Sequence, residues 1–210
     1  MKLQISMVVS GGQTGADRAA LDWAIGAGIP HGGWCPRGRK AEDGPLATQY
    51  ALQEMASTDY SARTRQNVID SDGTLIVNTG ELDGGTLKTL RIAEKLRKPH
   101  LLLQMDVGVQ EANVHEFVCW MRRESISRLN IAGPRASKQP NIYRLVRELL
   151  DQTAAAFYYP IREERLYIGG AGLPPGYSTY TPPTHIRDWK TQAFRQNQIR
   201  LLVARRWPVR

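Results

Sequence analysis

Ile5-Ser6-Met7-Val8-Val9-Ser10-Gly11-Gly12-Gln13-Thr14-Gly15-Ala16-Asp17-Arg18-Ala19-Ala20-Leu21-Asp22 is the stretch on which the fold is read. An apolar run from Ile5 to Val9 breaks into glycines, and a helix-forming segment, Ala16 to Ala27, follows at once. A strand that ends in glycines and then in 3.6-period sequence delivers its end to a helix N-terminus, where unpaired N–H groups and the helix dipole favour an anion. Gly11, Gly12 and Gly15 let the backbone approach a ligand, and Ser10 and Thr14 add hydroxyls. The reading is a phosphate-binding loop.

Outward from this turn, apolar segments of strand length lie at Leu3 to Val9, Gly32 to Cys35, Thr74 to Asn78, His100 to Met105 and Leu129 to Ala132. Helical patterns separate them at Ala16 to Ala27, Thr86 to Leu96, Val114 to Met121 and Ile142 to Leu150. Nearly continuous apolar strands alternating with helices predict an α/β domain of Rossmann-like, doubly wound type, its mostly parallel sheet covered by helices on both faces. Such sheets bind ligands beyond the carboxyl ends of their strands. The connection from Pro36 to Tyr60, with helical potential at Leu46 to Glu54, is expected to lie over that edge.

Two more junctions repeat the chemistry of the first. Thr79-Gly80-Glu81-Leu82-Asp83-Gly84-Gly85-Thr86 opens a helix at which Thr86 would cap or bond a ligand oxygen. Gly133-Pro134-Arg135-Ala136-Ser137 carries a guanidinium suited to phosphate and a hydroxyl. Asp17 falls in the first helical turn and has two readings: a stabiliser of the helix N-terminus, or an acceptor for a ribose hydroxyl or heterocycle N–H. Arg18, Arg37, Arg39, Lys40, Arg63 and Arg65 offer positive charge to a polyanionic ligand. Cys35 is either a buried inert thiol or an exposed one facing the ligand edge.

Composition bounds the rest. The 210 residues suffice for one sizeable domain and an appendage, and two cysteines form no disulfide framework or zinc knuckle. The four histidines lack metal spacing, and no apolar run approaches the roughly 18 residues of a membrane span. A cytoplasmic protein with no membrane association is expected. Of the net charge of +8, residues 151–210 supply +5. Their Pro/Gly-punctuated composition places a boundary between Thr153 and Pro160, giving a ligand-binding domain over 1–156 and a basic extension over 157–210.

The first-turn sequence, together with Gly32-Gly33-Trp34-Cys35-Pro36-Arg37-Gly38-Arg39, Ala41-Glu42-Asp43-Gly44-Pro45, Arg63-Thr64-Arg65-Gln66-Asn67-Val68, Asp70-Ser71-Asp72-Gly73-Thr74-Leu75-Ile76, Gly84-Gly85-Thr86 and Asn130-Ile131-Ala132-Gly133-Pro134-Arg135, resembles the molybdenum cofactor carrier family. That family is a circularly permuted, YpsA-like branch of the Rossmann-like nucleotide-binding group that includes DprA and the cytokinin-activating phosphoribohydrolases. The resemblance covers about residues 5–150. It implies that Gly11, Gly12, Gln13, Thr14, Gly15, Asp17, Arg18, Arg65, Asn67, Gly84, Gly85, Thr86, Gly133, Arg135 and Ser137 hold a small phosphorylated ligand, with molybdenum cofactor as the candidate. A molybdoenzyme or cofactor-biosynthesis protein is the implied partner, and a homo-oligomer is expected. The phosphoribohydrolases carry a catalytic Glu three residues beyond the Thr of their glycine turn, where this chain has Thr89. A hydroxyl does not replace that carboxylate, so a carrier role is favoured over catalysis. The alternatives are a nucleotide hydrolase or transferase using Asp17 or Glu81 as base, and a single-stranded nucleic-acid module built on Tyr177, Tyr180, Trp189, Phe194 and Trp207 among the arginines of the extension.

Overall fold

The computed structural model describes residues 5–158. In chain order these form β1 (Met7–Val9), α1 (Ala16–Ala27), β2 (His31–Gly32), β3 (Trp34–Cys35), β4 (Lys40–Ala41), β5 (Gly44–Pro45), β6 (Gln53–Glu54), α2 (Tyr60–Ile69), β7 (Gly73–Asn78), α3 (Gly84–Lys95), β8 (His100–Gln104), α4 (Glu111–Arg123), β9 (Arg128–Ala132) and α5 (Ile142–Tyr158). A five-stranded sheet runs in the order β2-β1-β9-β7-β8, and every pairing in it is parallel. Val8 lies opposite Leu129, and Leu75 lies between Ile131 and Leu101. The last strand of the described residues, β9, is thus inserted between β1 and β7.

Alternate strand residues face opposite layers. Val8, Leu75, Val77, Leu103, Leu129 and Ile131 join one core with α1, α4 and α5, where Phe117 and Trp120 stack at 6.1 Å. Fully buried Ala16, Ala19, Ala20 and Ala24 let α1 pack closely. The opposite face is covered by α3, which packs on β7 and β8, with α2 against α3. Helices on both faces of a parallel sheet make this the doubly wound architecture expected.

Four elements differ from the sequence reading. The run Gly32 to Cys35 is two strands rather than one: β2 joins the main sheet, whereas β3 pairs with β6. The chain turns at Gly33, whose φ of 125° and whose close approach to the Ser10 carbonyl exclude a side chain. Leu46 to Glu54 forms no helix. The Arg39 guanidinium takes the carbonyls of Leu46, Ala47, Tyr50 and Leu52 at 2.9–3.0 Å, and those are groups a helix would have used internally. The segment is held instead by a small core of Leu21, Cys35, Leu46, Tyr50 and Leu52. Helix α2 was not foreseen, because only Asn67 and Val68 are buried on it and no apolar stripe announces it. Its start is capped by Asp59, which accepts from the Ser61 amide at 2.8 Å. Finally, α3 begins at Gly84, so Thr86 lies within the helix and Asp83 holds the N-cap position.

Helix α5 extends to Tyr158 with Phe157 buried against the core. The boundary placed near residue 157 and the aromatic and basic positions of the extension fall at or outside the limit of the described residues. Among the described residues no helix is long and apolar enough to cross a membrane.

Candidate functional site

Because β1, β9 and β7 are neighbours in a parallel sheet, the three turns leaving their carboxyl ends adjoin on one rim. The Ala16 amide donates to the Pro134 carbonyl at 3.2 Å and the Ala136 amide to the Thr14 hydroxyl at 3.1 Å, joining the first turn to the third. Gln139 donates to the Thr79 carbonyl at 3.1 Å, and Lys138 pairs with Asp83, joining the third to the second. Gly133 lies directly beneath the Val77 carbonyl.

The amides of the first turn are largely engaged within the protein. Thr14 N–H donates to the Gln13 side chain at 3.0 Å and Gln13 N–H to Asp17 at 3.4 Å, while Ala16 N–H is taken by Pro134. Asp17 is buried and receives Arg63 Nη1 at 3.0 Å. Burial pushes its carboxyl above the usual range and outweighs the opposing pull of the Arg63 charge. Of its two sequence readings, stabiliser and ligand acceptor, the geometry adds a third: partner of a buried arginine. Arg63 crosses the face of Gly11 so closely that a Cβ there would lie 1.4 Å from Nη1, and a side chain at this position would have to displace the guanidinium. Its Nε is buried without an acceptor among the described residues.

The second turn is different. No side chain caps α3, and its internal bonding begins with Leu87 N–H donating to Asp83 at 3.0 Å. Among the described residues the amides of Gly84, Gly85 and Thr86 have no acceptor. Gly84 and Gly85 are exposed, whereas Thr86 is buried. The adjacent Gly80 amide, by contrast, is held by Asp106 at 2.5 Å. Thr89 is buried with its hydroxyl donating to the Gly85 carbonyl at 2.9 Å, so no carboxylate stands at that position.

The third turn grips a carboxylate from elsewhere in the chain. Glu42, at the tip of the hairpin formed by β4 and β5, accepts from the Ser137 amide at 3.1 Å, the Ser137 hydroxyl at 2.5 Å and the Thr14 hydroxyl, with Arg135 Nε at 3.5 Å. Desolvation pushes its carboxyl up, but these hydroxyls, the amide and the Arg135 charge prevail and hold it below the ordinary range. Asp43 beside it takes a two-pronged contact from Arg18 at 3.1 Å on each oxygen. Arg18 also donates to the Gly12 carbonyl and lies 5.2 Å from the centre of the Tyr50 ring.

Of the residues singled out from sequence, Gly11, Gly12, Gln13, Thr14, Gly15, Asp17, Arg18, Gly84, Gly85, Thr86, Gly133, Arg135 and Ser137 are gathered along the rim by these contacts. Asn67 is not available there: its amide group accepts from Trp34 N–H at 2.7 Å and donates to Trp34 C=O at 3.2 Å. Arg65 is exposed on α2. Cys35 is buried, and burial pushes its thiol up, which gives the inert reading. Sequence reasoning did not select Glu42, and it offered Arg63 as positive charge for a polyanionic ligand rather than as the partner of Asp17. The hairpin signal Asp43-Gly44 was there to be read and puts Glu42 at a tip, but not where the tip docks.

Residues 8–154 match the model of the circularly permuted YpsA SLOG family. A crystal structure from Syntrophus aciditrophicus SB, described as "Putative molybdenum carrier protein", superposes with a TM-score of 0.71 at 49% identity, covering 73% of this chain and 97% of that one. No curated protein matches. With the family model spanning more than half the chain and this neighbour sharing the fold at high identity, the protein belongs to the circularly permuted YpsA SLOG family.

Proposed function

We propose that the rim binds a small phosphorylated heterocycle and that the protein is a carrier for it rather than an enzyme acting on it. The observation that supports this most is the uncapped start of α3, where Gly84, Gly85 and Thr86 direct unpartnered amides from the second turn beside Lys138. Oriented N–H groups at a helix start favour a dianionic phosphate. The neighbour's description points to molybdenum cofactor as the specific ligand. Its phosphate fits these donors, and the connection 36–59, packed beside the same edge through Leu46, Tyr50 and Leu52, offers cover for its oxidation-prone part. The cofactor brings a metal held by its own dithiolene. Cys35 is buried and is not offered to that metal as a ligand. Delivery to a molybdoenzyme or a cofactor-biosynthesis protein completes this reading.

The test isolates one amide. Gly85 has open space where a Cβ would stand and no positive φ, which accommodates Ala, and proline is tolerated in the first helical turn, where the N–H it removes makes no helical bond. Gly85→Ala keeps the N–H and should bind the cofactor, or a nucleoside monophosphate as surrogate, as the wild type does. Gly85→Pro removes one charge-assisted bond of about 1.5–3 kcal/mol and should weaken binding by roughly 10- to 150-fold in calorimetry. Equal affinities for Pro and Ala variants, or no binding of any phosphorylated heterocycle, would overturn the reading.

A further inference from the structure

The donors around Glu42 have the character of an oxyanion site already filled. Thr14 and Ser137 contribute hydroxyls, Ser137 its amide and Arg135 a guanidinium, from two turns 122 residues apart that the sheet brings together. Hydroxyls, an amide and a guanidinium converging on one charged group are what a phosphate requires. Here the charge comes from the chain itself. Glu42 belongs to a hairpin of two residues per strand, too short to be stable alone, so its position depends on what its tip touches. The tip touches charge on both sides: Glu42 meets Arg135, and Asp43 meets Arg18. The Glu42 side chain is 20% exposed, while the residue as a whole lies at an exposed tip.

We propose that Glu42 is an intramolecular stand-in for a tetrahedral oxyanion: the hairpin tip occupies a second anion subsite on the rim, made by Thr14, Arg135 and Ser137, and yields it to the ligand. The proposal rests on the rim being the ligand site, and adds a competitor to it. The oxyanion is either the phosphate ester of the ligand or a free inorganic anion, since the donors present the same chemistry to both. Two like charges cannot share these donors, so entry of the anion expels Glu42 and loosens the hairpin. The hairpin then reports whether the subsite is filled.

Inorganic phosphate and adenosine monophosphate serve as the two probes, titrated into the full chain by calorimetry, with amide exchange of residues 40–45 followed alongside. If the closed hairpin leaves the subsite open only about one-tenth of the time, Glu42→Gln binds a probe roughly tenfold more tightly than the wild type. In the wild type, a saturating probe speeds exchange in residues 40–45. Tightening toward phosphate assigns the subsite to free oxyanions, and tightening toward the monophosphate alone assigns it to the ester; both support the proposal. Asp43→Asn separates simple loosening of the hairpin from loss of the competing charge: it frees the tip from Arg18 while leaving Glu42 in place, and gives a smaller gain than Glu42→Gln, whereas an equal gain overturns the proposal. Adding Ser137→Ala to Glu42→Gln removes the gain. A Glu42→Gln variant whose affinity for both probes equals or falls below that of the wild type makes Glu42 a fixed staple and overturns the proposal. So does unchanged hairpin exchange under a saturating probe, or binding of neither probe by either protein. The Glu42→Gln affinity and the hairpin exchange are independent of the comparison between Gly85→Pro and Gly85→Ala, which tests the amides of α3, whereas binding of neither probe overturns both readings.

Discussion

Replacing Arg63 by Met removes the positive charge that balances Asp17 while keeping an apolar stem of similar length. The two side chains are 11% and 6% exposed and meet at 3.0 Å, so this is a buried pair rather than a surface one. Removing one partner of such a pair leaves a buried charge without compensation and costs about 3–5 kcal/mol. The Arg63 contact with the ring of half-exposed Tyr60, at 5.9 Å, adds about 0.5 kcal/mol. The cost depends on pH in a definite direction. Burial already holds the Asp17 carboxyl above its ordinary value, and loss of Arg63 drives it higher. A carboxyl raised on folding takes up a proton as the chain folds, so its penalty is absent below the unfolded value and grows as pH rises toward the folded one. The Arg63→Met loss should therefore be larger at pH 7 than at pH 5. Adding Asp17→Asn should recover most of it. Urea unfolding of the four proteins of this cycle at both pH values measures the coupling directly. A coupling below about 0.5 kcal/mol, the usual error of additivity, or a loss identical at the two pH values would refute the account.

Tyr143 donates to Asp22 at 2.8 Å, and burial followed by the Asp22 carboxylate pushes its hydroxyl up to about 12. The difference between wild type and Tyr143→Phe in an ultraviolet titration should therefore show a tyrosinate phase near pH 12, moving back toward about 10 in Asp22→Asn. Since the folded value lies above the unfolded one, this contribution to stability is complete below about pH 10 and is lost as pH rises toward 12; a wild-type phase at 10 would refute it. Arg39→Lys replaces a planar fork that reaches four carbonyls by a single ammonium. Stability should fall by about 1–3 kcal/mol, the scale of one charged hydrogen bond, and limited proteolysis within residues 46–52 should accelerate. Unchanged cleavage there would mean that the small core of Leu46, Tyr50 and Leu52 suffices without the fork.

The α/β alternation, the limits of α1 and the position of each glycine turn at a strand end were legible in the sequence, because periodicity and helix punctuation act over a few residues. Helix α2 was not, since its polar surface hides the period. The missing helix at Leu46 to Glu54 was decided by one guanidinium that precedes it.

What only the tertiary structure decided is which strands are neighbours and which polar groups remain free. Inserting β9 between β1 and β7 puts the third turn against the other two. That contact pairs Thr14 with Ala136 and seats Glu42 on Ser137, interactions between residues 122 and 95 positions apart. The physical reason is that a turn sequence specifies donors but not their partners. Whether an amide meets a ligand or the protein's own carbonyl depends on what the sheet order brings within 3 Å of it, as Pro134 reaches Ala16 while Gly85 is left facing outward.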